Sequence, residues 1–416
     1  MSDEIINLKS FDMKKNKQFD FKDFEKEAIE KLKSGKGLTG PDGAFTGLIK
    51  HILEAALDAE MEEQLPLSKD NRRNGRTSKK VKTGLGEVSI KPPRDRKGIF
   101  DPKILGKWER NLAPEIECQI LELYSIGTSC ADIRDHIEKM YGMQYSTGFI
   151  SKITDRITDE IEAWKSRPLD SLYSIVFLDA IHYKVRENRE VKMKAVYTVL
   201  GVDLEGNRDV LGLYIGPNEG AKHWGRILED IKDRGVEDVI FFCVDGLKGF
   251  TSAIESIYPK SIIQRCIVHM VRTSLMYVSW KHYKAICSDL RKVYTSNDRA
   301  SAEEELKQFG KKWDNEYPEI RRKWEKSWAE LSAFFDYPQA VRKVIYTTNT
   351  IESLHKSLRK VTKTKGAFVN EKALEKQLYL ALVHNEKKWK RRIRSWPTFA
   401  RTIQREFFDR IEPFIT

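Results

Sequence analysis

The first clear hydrophobic pattern along the chain is a helical one. Apolar residues recur at the 3.6-residue period between Phe45 and Met61, which predicts an amphipathic helix that ends near Pro66. Residues 1–37, before it, are charged and lack any period, so we expect a disordered or loosely ordered tail there. We expect residues 38–108 to form this N-terminal helix and a basic arm that follows it.

The arm after the first helix carries a dense group of cations. Such a run is typical either of a solvated, charged linker or of a segment that lies along DNA phosphates. In the second case, the residues expected to contact DNA are Arg72, Arg73, Arg76, Lys79 and Lys80.

Residues 109–165 contain three apolar stripes at helical spacing. Gly127 and Gly142 separate the helices, and Ser146 is placed to cap the third, whose stripe runs to Ile161. Two helices joined by a short turn, the second with a polar outer face, favour a helix-turn-helix that reads the major groove. An ordinary helical bundle is the alternative. The outward residues expected to contact DNA are Ser151, Lys152 and Arg156.

After residue 170 the pattern changes from helical stripes to continuous apolar runs. Two buried strands are predicted by SLYSIVFLDA and VIFFCVD; two runs between them predict a hairpin, and helices and a short strand complete the set. This order predicts a mixed α/β sheet over residues 170–265. Residues 266–344 predict an all-helical insertion with its own core, and residues 345–416 predict a capped helix, a second helix and a basic tail.

Two acidic residues stand where catalytic sites form in such sheets. Asp179 and Asp245 each end one of the buried apolar runs, and carboxyl ends of strands meet at one edge of an open sheet. Two carboxylates cannot stay ionised and close together without a cation. Mg²⁺ fits because it takes hard oxygen ligands. A third carboxylate would complete a two-metal site, with ions roughly 3.5–4 Å apart.

Glu352 is the candidate for that third carboxylate. It lies on a predicted helix with cations on the same side, as phosphodiester chemistry requires. Asn349 and Glu352 equally fit a capping pair, which stabilises any helix, so this alternative stays open. The cations that share the helix side, and are expected to contact DNA, are Lys356, Arg359 and Lys363.

Composition and charge narrow the function classes. Lys and Arg number 74 against 62 Asp and Glu among 416 residues, a formal net charge of +12, which favours a polyanionic partner such as nucleic acid. The five cysteines are scattered, and neither a secretory signal nor a spanning helix is predicted, so a reducing cytoplasm is expected. Cys266 and His269 have no second pair nearby to complete a structural zinc site, and their role stays open. The sequence has no Gly-rich Walker loop, so it does not indicate nucleotide hydrolysis.

Six segments of the chain resemble one known family. They read NRRNGRTSKKVKTGLGEV, PPRDRKGIFDP, FLDAIHYKVR, VDGLKGF, QRCIVH and YTTNTIESLHKSLRKVTKTKG. In order and spacing these segments are similar to the signature blocks of the Mutator-like transposases, in their bacterial insertion-sequence branch. The likeness runs from about Met61 to about Trp389.

The resemblance implies both a fold and an activity. It implies that Asp179, Asp245 and Glu352 are the acidic catalytic triad of an RNase H-like core, interrupted by the helical insertion and preceded by the DNA-binding helices. It implies Mg²⁺-dependent cleavage and strand transfer at the terminal inverted repeats of the element, two ions per site, with Mn²⁺ able to substitute. A homodimer or larger assembly on double-stranded DNA in the bacterial cytoplasm, and a copy-out route, are also implied.

Two other functions remain as alternatives. A domesticated, non-catalytic DNA-binding regulator would keep the helix-turn-helix and lose a carboxylate. A structure-selective nuclease acting on RNA–DNA hybrids would not need the long basic N-terminal half or the helical insertion. All three carboxylates are present, which favours the transposase.

Overall fold

The computed structural model of the chain divides into two compact units. The first draws its residues from Met1–Leu123 and Thr128–Thr154, and the second from Tyr124–Gly127 and Asp155–Thr416. The residues that the structure describes are 20–38, 42–67, 70–112, 114–141, 143–216, 221–246, 249–346, 349–393 and 396–415.

The N-terminal part of the chain alternates helices with short strands. Its elements are α1 (Phe21–Lys33), α2 (Thr46–Gln64), β1 (Arg73–Arg76), β2 (Lys79–Thr83), β3 (Gly86–Ile90), β4 (Pro93–Asp95), β5 (Asn111–Leu112), α3 (Pro114–Ser125), α4 (Cys130–Tyr141) and α5 (Thr147–Asp155). A 3-10 turn, Leu65–Leu67, follows α2.

The basic arm is a β structure rather than an extended linker. Strand β1 pairs with β4, and a second small sheet has the order β3-β2-β5. Apolar residues alternate with charged ones along β2 and β3, so Val81, Val88 and Ile90 face inward and pack with Leu57 of α2. This alternation is the physical reason that so charged a segment folds.

Helix α1 lies where the sequence analysis expected a loose tail. Asp20 caps it by accepting hydrogen bonds from the backbone N–H groups of Lys22 (2.8 Å) and Asp23 (3.3 Å). Glu27 and Lys31 form an i,i+4 ion pair at 2.8 Å. None of its residues is buried, but Phe24 stacks on Phe45 with ring centroids 6.5 Å apart, so caps, an ion pair and this aromatic contact maintain the helix. Residues 1–19 of the expected tail lie outside the described residues.

The third predicted helix of the 109–165 segment is two helices. Helix α5 ends at Asp155, and α6 begins at Thr158. The hydroxyls of Thr154 and Thr158 donate to the backbone carbonyls of Ser151 (2.8 Å) and Asp155 (2.6 Å), bonds that compete with the helical ladder. The apolar stripe continues across the break because Ile157 and Ile161 stay buried.

The second unit is a five-stranded sheet surrounded by helices. Its elements are α6 (Thr158–Ser166), β6 (Leu172–Glu187), β7 (Glu190–Val202), β8 (Arg208–Gly216), α7 (Ala221–Asp233), β9 (Asp238–Val244), α8 (Phe250–Ile257), β10 (Ile262–Arg265), α9 (Ile267–Ser274), α10 (Trp280–Tyr294), α11 (Arg299–Trp313), α12 (Pro318–Lys326), α13 (Trp328–Ser332), α14 (Gln339–Ile345), α15 (Asn349–Thr362), α16 (Glu371–His384), α17 (Glu386–Trp389), α18 (Trp396–Glu406) and α19 (Phe408–Ile411). Two 3-10 helices, Ala333–Asp336 and Glu412–Phe414, complete it.

The predicted mixed α/β sheet is confirmed. The strand order is β10-β9-β6-β7-β8, with β6, β7 and β8 antiparallel and with β9 and β10 parallel to β6. The observed succession of strands and helices from β6 to β10 is the one that the apolar runs predicted. Continuous apolar runs belong to strands covered on both faces, and β6 and β9 contribute buried residues to both core clusters.

Strand β6 is longer than predicted, and Asp179 lies inside it. Asp179 pairs with Thr198 of β7, and pairing continues to Glu187 opposite Glu190. Asn188 and Arg189 close the hairpin with positive φ angles of 51° and 67°, the two-residue turn whose twist suits paired strands. The prediction that Asp179 ends its strand is therefore wrong, because the hairpin extends the pairing beyond the apolar run.

The helical insertion shares the core of the sheet instead of having its own. One hydrophobic cluster contains Phe241 of β9 together with Leu290, Trp324 and Phe334 of the insertion. Gln264 of β10 is fully buried; its Nε2 donates to the Leu331 carbonyl at 3.2 Å, and its Oε1 accepts from the Phe334 N–H at 2.8 Å. The insertion is thereby bonded directly to an edge strand.

The basic C-terminal segment is also packed. Trp396, Phe399 and Ile403 of α18 are buried, and the Trp396 indole N–H donates to the Leu204 carbonyl at 2.7 Å. Arg410 pairs with Asp238 at 2.8 Å. Across the described part of the chain, no helix combines the length and the apolar character that crossing a bilayer requires.

Candidate active site

Three side chains with metal-ligating atoms converge beside the centre of the large sheet. One ligand atom each from Asp179, Asp245 and His269 lies within 4.8 Å of the others. Asp179 is buried, and the other two side chains are half-buried. The three residues come from β6, from the end of β9 and from α9.

The parallel pairing of β6 with β9 brings the two aspartates together. Leu178 pairs with Val244, so Asp179 and Asp245 each follow one member of the same pair. Beyond Val244 the chain turns, and Arg265 of β10 holds that turn by donating to the Gly246 carbonyl at 3.2 Å. The closeness of the two aspartates thus depends on the register of β6 against β9, and the local sequence of either strand does not specify that register.

Asp179 is held in place by His355 of α15. His355 Nδ1 lies 3.2 Å from Asp179 Oδ2, and the Ala180 N–H donates to Asp179 Oδ1 at 2.8 Å. Nε2 of His355 lies 3.0 Å from the Thr198 hydroxyl. Burial by itself would raise the pKa of Asp179, but the hydrogen bond and charge of His355, with the charge of His269, hold that pKa below its ordinary value. Asp179 is therefore an ionised carboxylate.

His269 stands between the aspartates and Cys266. The Cys266 N–H donates to the Val244 carbonyl at 2.8 Å, which starts α9 beside the end of β9. The hydrogen bond with the Cys266 side chain, and the negative charges of Asp245 and Asp179, raise the pKa of His269 to about 9 against the effect of burial. A protonated His269 balances the carboxylates, and it must release its proton to serve as a metal ligand.

Glu352 adjoins this cluster without being one of the three converged ligands. Its Oε1 lies 3.6 Å from His269 Nε2 and 3.2 Å from Arg272 Nη2. It occupies the first turn of α15, where a negative charge is favourable, and its side chain is 29% exposed. The structure therefore brings Glu352 to the site through His269 and pairs it with an arginine of α9.

The donor set is suited to a divalent cation. Carboxylate oxygens are the preferred ligands of Mg²⁺ and Mn²⁺, and an imidazole nitrogen is acceptable to Mn²⁺ and to other transition metals. Asp179 and Asp245 supply the oxygens and His269 the nitrogen. Glu352, one contact away, can add a further oxygen. These side chains therefore fit the Mg²⁺ site that the sequence pattern predicts.

The cations of α15 lie on its exposed side. Ile351, Leu354 and Leu358 are buried on the other side, which leaves these residues at the surface: Lys356 and Arg359 on the helix and Lys363 just after it. Their expected contact with DNA stays a prediction.

The cations of the N-terminal arm are mostly engaged within the protein. Arg73 pairs with Glu62 at 2.7 Å and Arg76 with Asp58 at 2.5 Å, both on α2. The Lys79 ammonium donates to the Gly106 carbonyl at 2.8 Å, Lys80 pairs with Glu87 at 3.2 Å, and Arg72 is exposed. The acidic side of α2 offsets the positive charge of the arm.

The predicted contacts of the helix-turn-helix segment differ in their exposure. Lys152 and Arg156 are exposed, whereas Ser151 is half-buried. Arg156 lies in the break between α5 and α6 rather than on a continuous recognition helix.

Sequence reasoning missed one residue of the site and misjudged another. His355 lies on the buried stripe of α15, and a histidine among Ile351, Leu354 and Leu358 was a signal that a polar partner lies opposite. His269 was judged unsuited to a structural zinc site, and its role was left open. Its closeness to the aspartates depends on the register of β9 and β6.

Comparisons with known proteins identify relatives over most of the chain. The family described as "Transposase, Mutator family" matches residues 21–392. The probable transposase for insertion sequence element ISRM3-like of Sinorhizobium fredii is 38% identical over 381 residues, covering 89% of this chain and 95% of that protein. The transposase for insertion sequence element ISRM3 of Rhizobium meliloti has the same identity and coverage. Among solved structures, the Drosophila P element transposase strand transfer complex has a TM-score of 0.29 and 10% identity, covering 71% of this chain and 86% of that chain. A TM-score this low does not indicate a shared fold.

Proposed function

Because this chain belongs to the Mutator family of transposases, we propose that it cleaves DNA at the terminal inverted repeats of its own insertion element and joins the freed strands to a target. The single observation that carries this proposal is the convergence of Asp179, Asp245 and His269 within 4.8 Å, beside Glu352. The chemistry proposed is metal-dependent hydrolysis followed by strand transfer.

The acidic residues would act together on one phosphodiester. Asp179, Asp245 and Glu352 would hold Mg²⁺ or Mn²⁺, with His269 as a further ligand or as a contact to the scissile phosphate. A bound divalent ion supplies stabilisation of charge on the phosphate oxygens and a lowered pKa for coordinated water. We assign two such ions to the site, as phosphodiester displacement favours.

The protein's own groups would orient this site and neutralise charge. His355 and the Ala180 N–H fix both oxygens of Asp179, so the carboxylate does not have to reorganise during the reaction. Arg272, exposed beside Glu352, is placed to meet a phosphate oxygen when Glu352 turns toward a cation. Catalysis would then consist mainly of positioning and electrostatic stabilisation.

We assign the sheet to the RNase H-like class. What supports this is the strand order β10-β9-β6-β7-β8, with three antiparallel strands first in sequence and two parallel strands after them. Asp179 lies on β6, the first of these strands, and Asp245 follows β9, the fourth. Because β6 and β9 are paired, both acids reach the same part of the sheet. The third acid lies on a helix that follows the insertion.

We propose that the N-terminal unit recognises the element ends. Its helices α4 and α5 would form the helix-turn-helix, with Lys152 exposed for contact with DNA. Since Arg73 and Arg76 are already paired with α2, Arg72 is the arm residue best placed for phosphates. Two ends must be paired for transposition, so a dimer on DNA is expected.

The test is cleavage of a labelled duplex that carries an element end, with Mg²⁺ or Mn²⁺ present. Asp179→Asn and Asp245→Asn should each abolish nicking while retaining DNA binding in a gel shift. Asp233→Asn, an exposed aspartate of α7, is the matched control and should cleave normally. Cleavage by Asp179→Asn at the wild-type rate would overturn the proposal.

A further inference from the structure

A cavity of about 1000 Å³ in the second unit has a strongly basic lining. Its walls come from the start of β8, from α14 and from the segment around α17. The lining includes no Asp or Glu among the described residues. Its cations are Arg208, Lys343, Lys388, Arg391 and Arg392.

The hydrogen bonds that the structure gives these cations go to neutral oxygens. In the described ranges, none of the five forms an ion pair with a carboxylate. Instead, Arg208 Nη1 donates to the Trp389 carbonyl at 3.4 Å, Lys388 donates to Asn385 Oδ1 at 3.1 Å, and Arg392 donates to the Glu205 carbonyl. In these three residues neutral oxygens hold the side chain in place and leave its positive charge uncompensated.

Arg208 is a second, independent indication that the cavity binds an anion. Its Nε is buried and has no hydrogen-bond partner among the residues described by the structure. A buried donor without a partner is energetically unfavourable, so such groups usually have a ligand or water. An anion in the cavity would be a suitable acceptor.

The first turn of α15 also lines the cavity, through Asn349 and Thr350. The N–H groups at the start of a helix point out of it and attract anions. Glu352 is three residues after Asn349, hence on the same side of the helix. The cavity therefore adjoins the turn that carries the third acidic residue of the proposed active site.

We propose that this cavity binds the sugar–phosphate backbone of DNA next to the bond that is cut. The inference rests on the proposed function and adds a DNA-contacting surface to it. About 1000 Å³ is at the upper end of small-molecule pockets and exceeds what one inorganic phosphate needs. Four of the five cations are exposed, so a strand lying on the surface can reach them.

The test is the salt dependence of DNA binding, measured in EDTA by fluorescence anisotropy with a labelled 30-bp duplex of mixed sequence. Each phosphate contact adds about 0.9 to the magnitude of the slope of log K against log salt. For Lys343→Gln/Lys388→Gln, the magnitude should therefore fall by about 2. Lys260→Gln/Lys323→Gln removes the same charge from exposed sites outside the cavity and should keep the wild-type slope. Thermal unfolding of both variants verifies that they fold.

Three results would overturn the inference. The first is a wild-type slope in the cavity variant, and the second is an equal loss in both variants. The third is calorimetric binding of inorganic phosphate that is lost in Lys343→Gln/Lys388→Gln while its DNA slope is unchanged, because the cavity would then be a small-anion site. EDTA removes divalent ions, so this assay measures DNA binding without cleavage. A protein that binds as expected but never cuts DNA would therefore contradict the proposed function and not this inference.

Discussion

His355 Nδ1 lies 3.2 Å from Asp179 Oδ2, and both side chains are more than nine-tenths buried. The imidazole connects α15 to β6, and through Thr198 it also connects to β7. The helix that carries Glu352 is thereby bonded to the strand that carries Asp179. One histidine therefore orients Asp179 and joins its strand to the helix of Glu352, which its buried apolar side also holds on the sheet.

Replacing His355 by Ala should impair the site more than the fold. Asp179 would lose the partner that orients it, and outer-shell partners of metal ligands typically contribute 10–100-fold to metal affinity or activity. We expect the Mn²⁺ concentration for half-maximal cleavage to rise by about that factor. His384→Ala, at an exposed histidine of α16, should leave it unchanged. A lower cleavage rate at saturating metal, with the same half-maximal concentration, would contradict the positioning role.

Glu352→Gln should abolish cleavage with little loss of stability. Its partner Arg272 is 63% exposed, and exposed ion pairs contribute at most about 1 kcal/mol. Glu319→Gln is a matched control, since Glu319 also stands in the first turn of a helix and pairs with an exposed arginine, Arg322, at 2.8 Å. Urea unfolding should place both variants within about 1 kcal/mol of the wild type. If Glu352→Gln alone is strongly destabilised, the residue is chiefly a helix cap.

Asp289 should make the helical insertion sensitive to acid. Burial opposes ionisation of Asp289, but hydrogen bonds from Lys312, Lys292 and Trp313 lower its pKa from 3.8 to about 2. A lowered pKa in the folded state stabilises the protein above the unfolded-state pKa, and this contribution is lost as pH falls through the folded value. Asp289→Asn should cost about 1–2 kcal/mol at neutral pH.

The difference between Asp289→Asn and the wild type should shrink as the pH falls from about 3.8 towards 2. Denaturant unfolding at a series of pH values measures it. A difference that is constant over this range would mean that the charge of Asp289 contributes nothing to folding.

Gly127→Ala should be strongly destabilising. Gly127 has a φ of +100°, and a Cβ there would come within 2.1 Å of the Val361 carbonyl oxygen of α15. We expect a loss of about 2 kcal/mol or more, because both the backbone conformation and the contact are incompatible with a side chain. Gly225→Ala, in open space on α7, should stabilise by about 0.5–1 kcal/mol. Similar thermal shifts for the two variants would contradict this account.

The sequence by itself determined the order of the strands and helices of the large sheet, and it indicated the family. Continuous apolar runs at β6 and β9, the hairpin between them and the helical stripes are local patterns, so the succession from β6 to β10 followed from them. The predictions for the N-terminal tail and for the third helix of residues 109–165 differ from the structure. Helix caps and hydroxyl bonds to backbone carbonyls decide both, and the hydrophobic period does not show such short-range bonds. Asp179 and Asp245 were found because each adjoins an apolar run, and Glu352 because cations share its side of a predicted helix.

Only the tertiary structure decided which of these residues meet. The register of β6 against β9 sets Asp179 beside Asp245, and the start of α9 adds His269. The packing of α15 on the sheet supplies His355 and places Glu352 one contact away. Likewise, the ion pairs with α2 compensate the charge of Arg73 and Arg76, although both arginines remain exposed. Each of these contacts joins residues that are distant in sequence, and a pattern with a period of two to four residues contains no information about them.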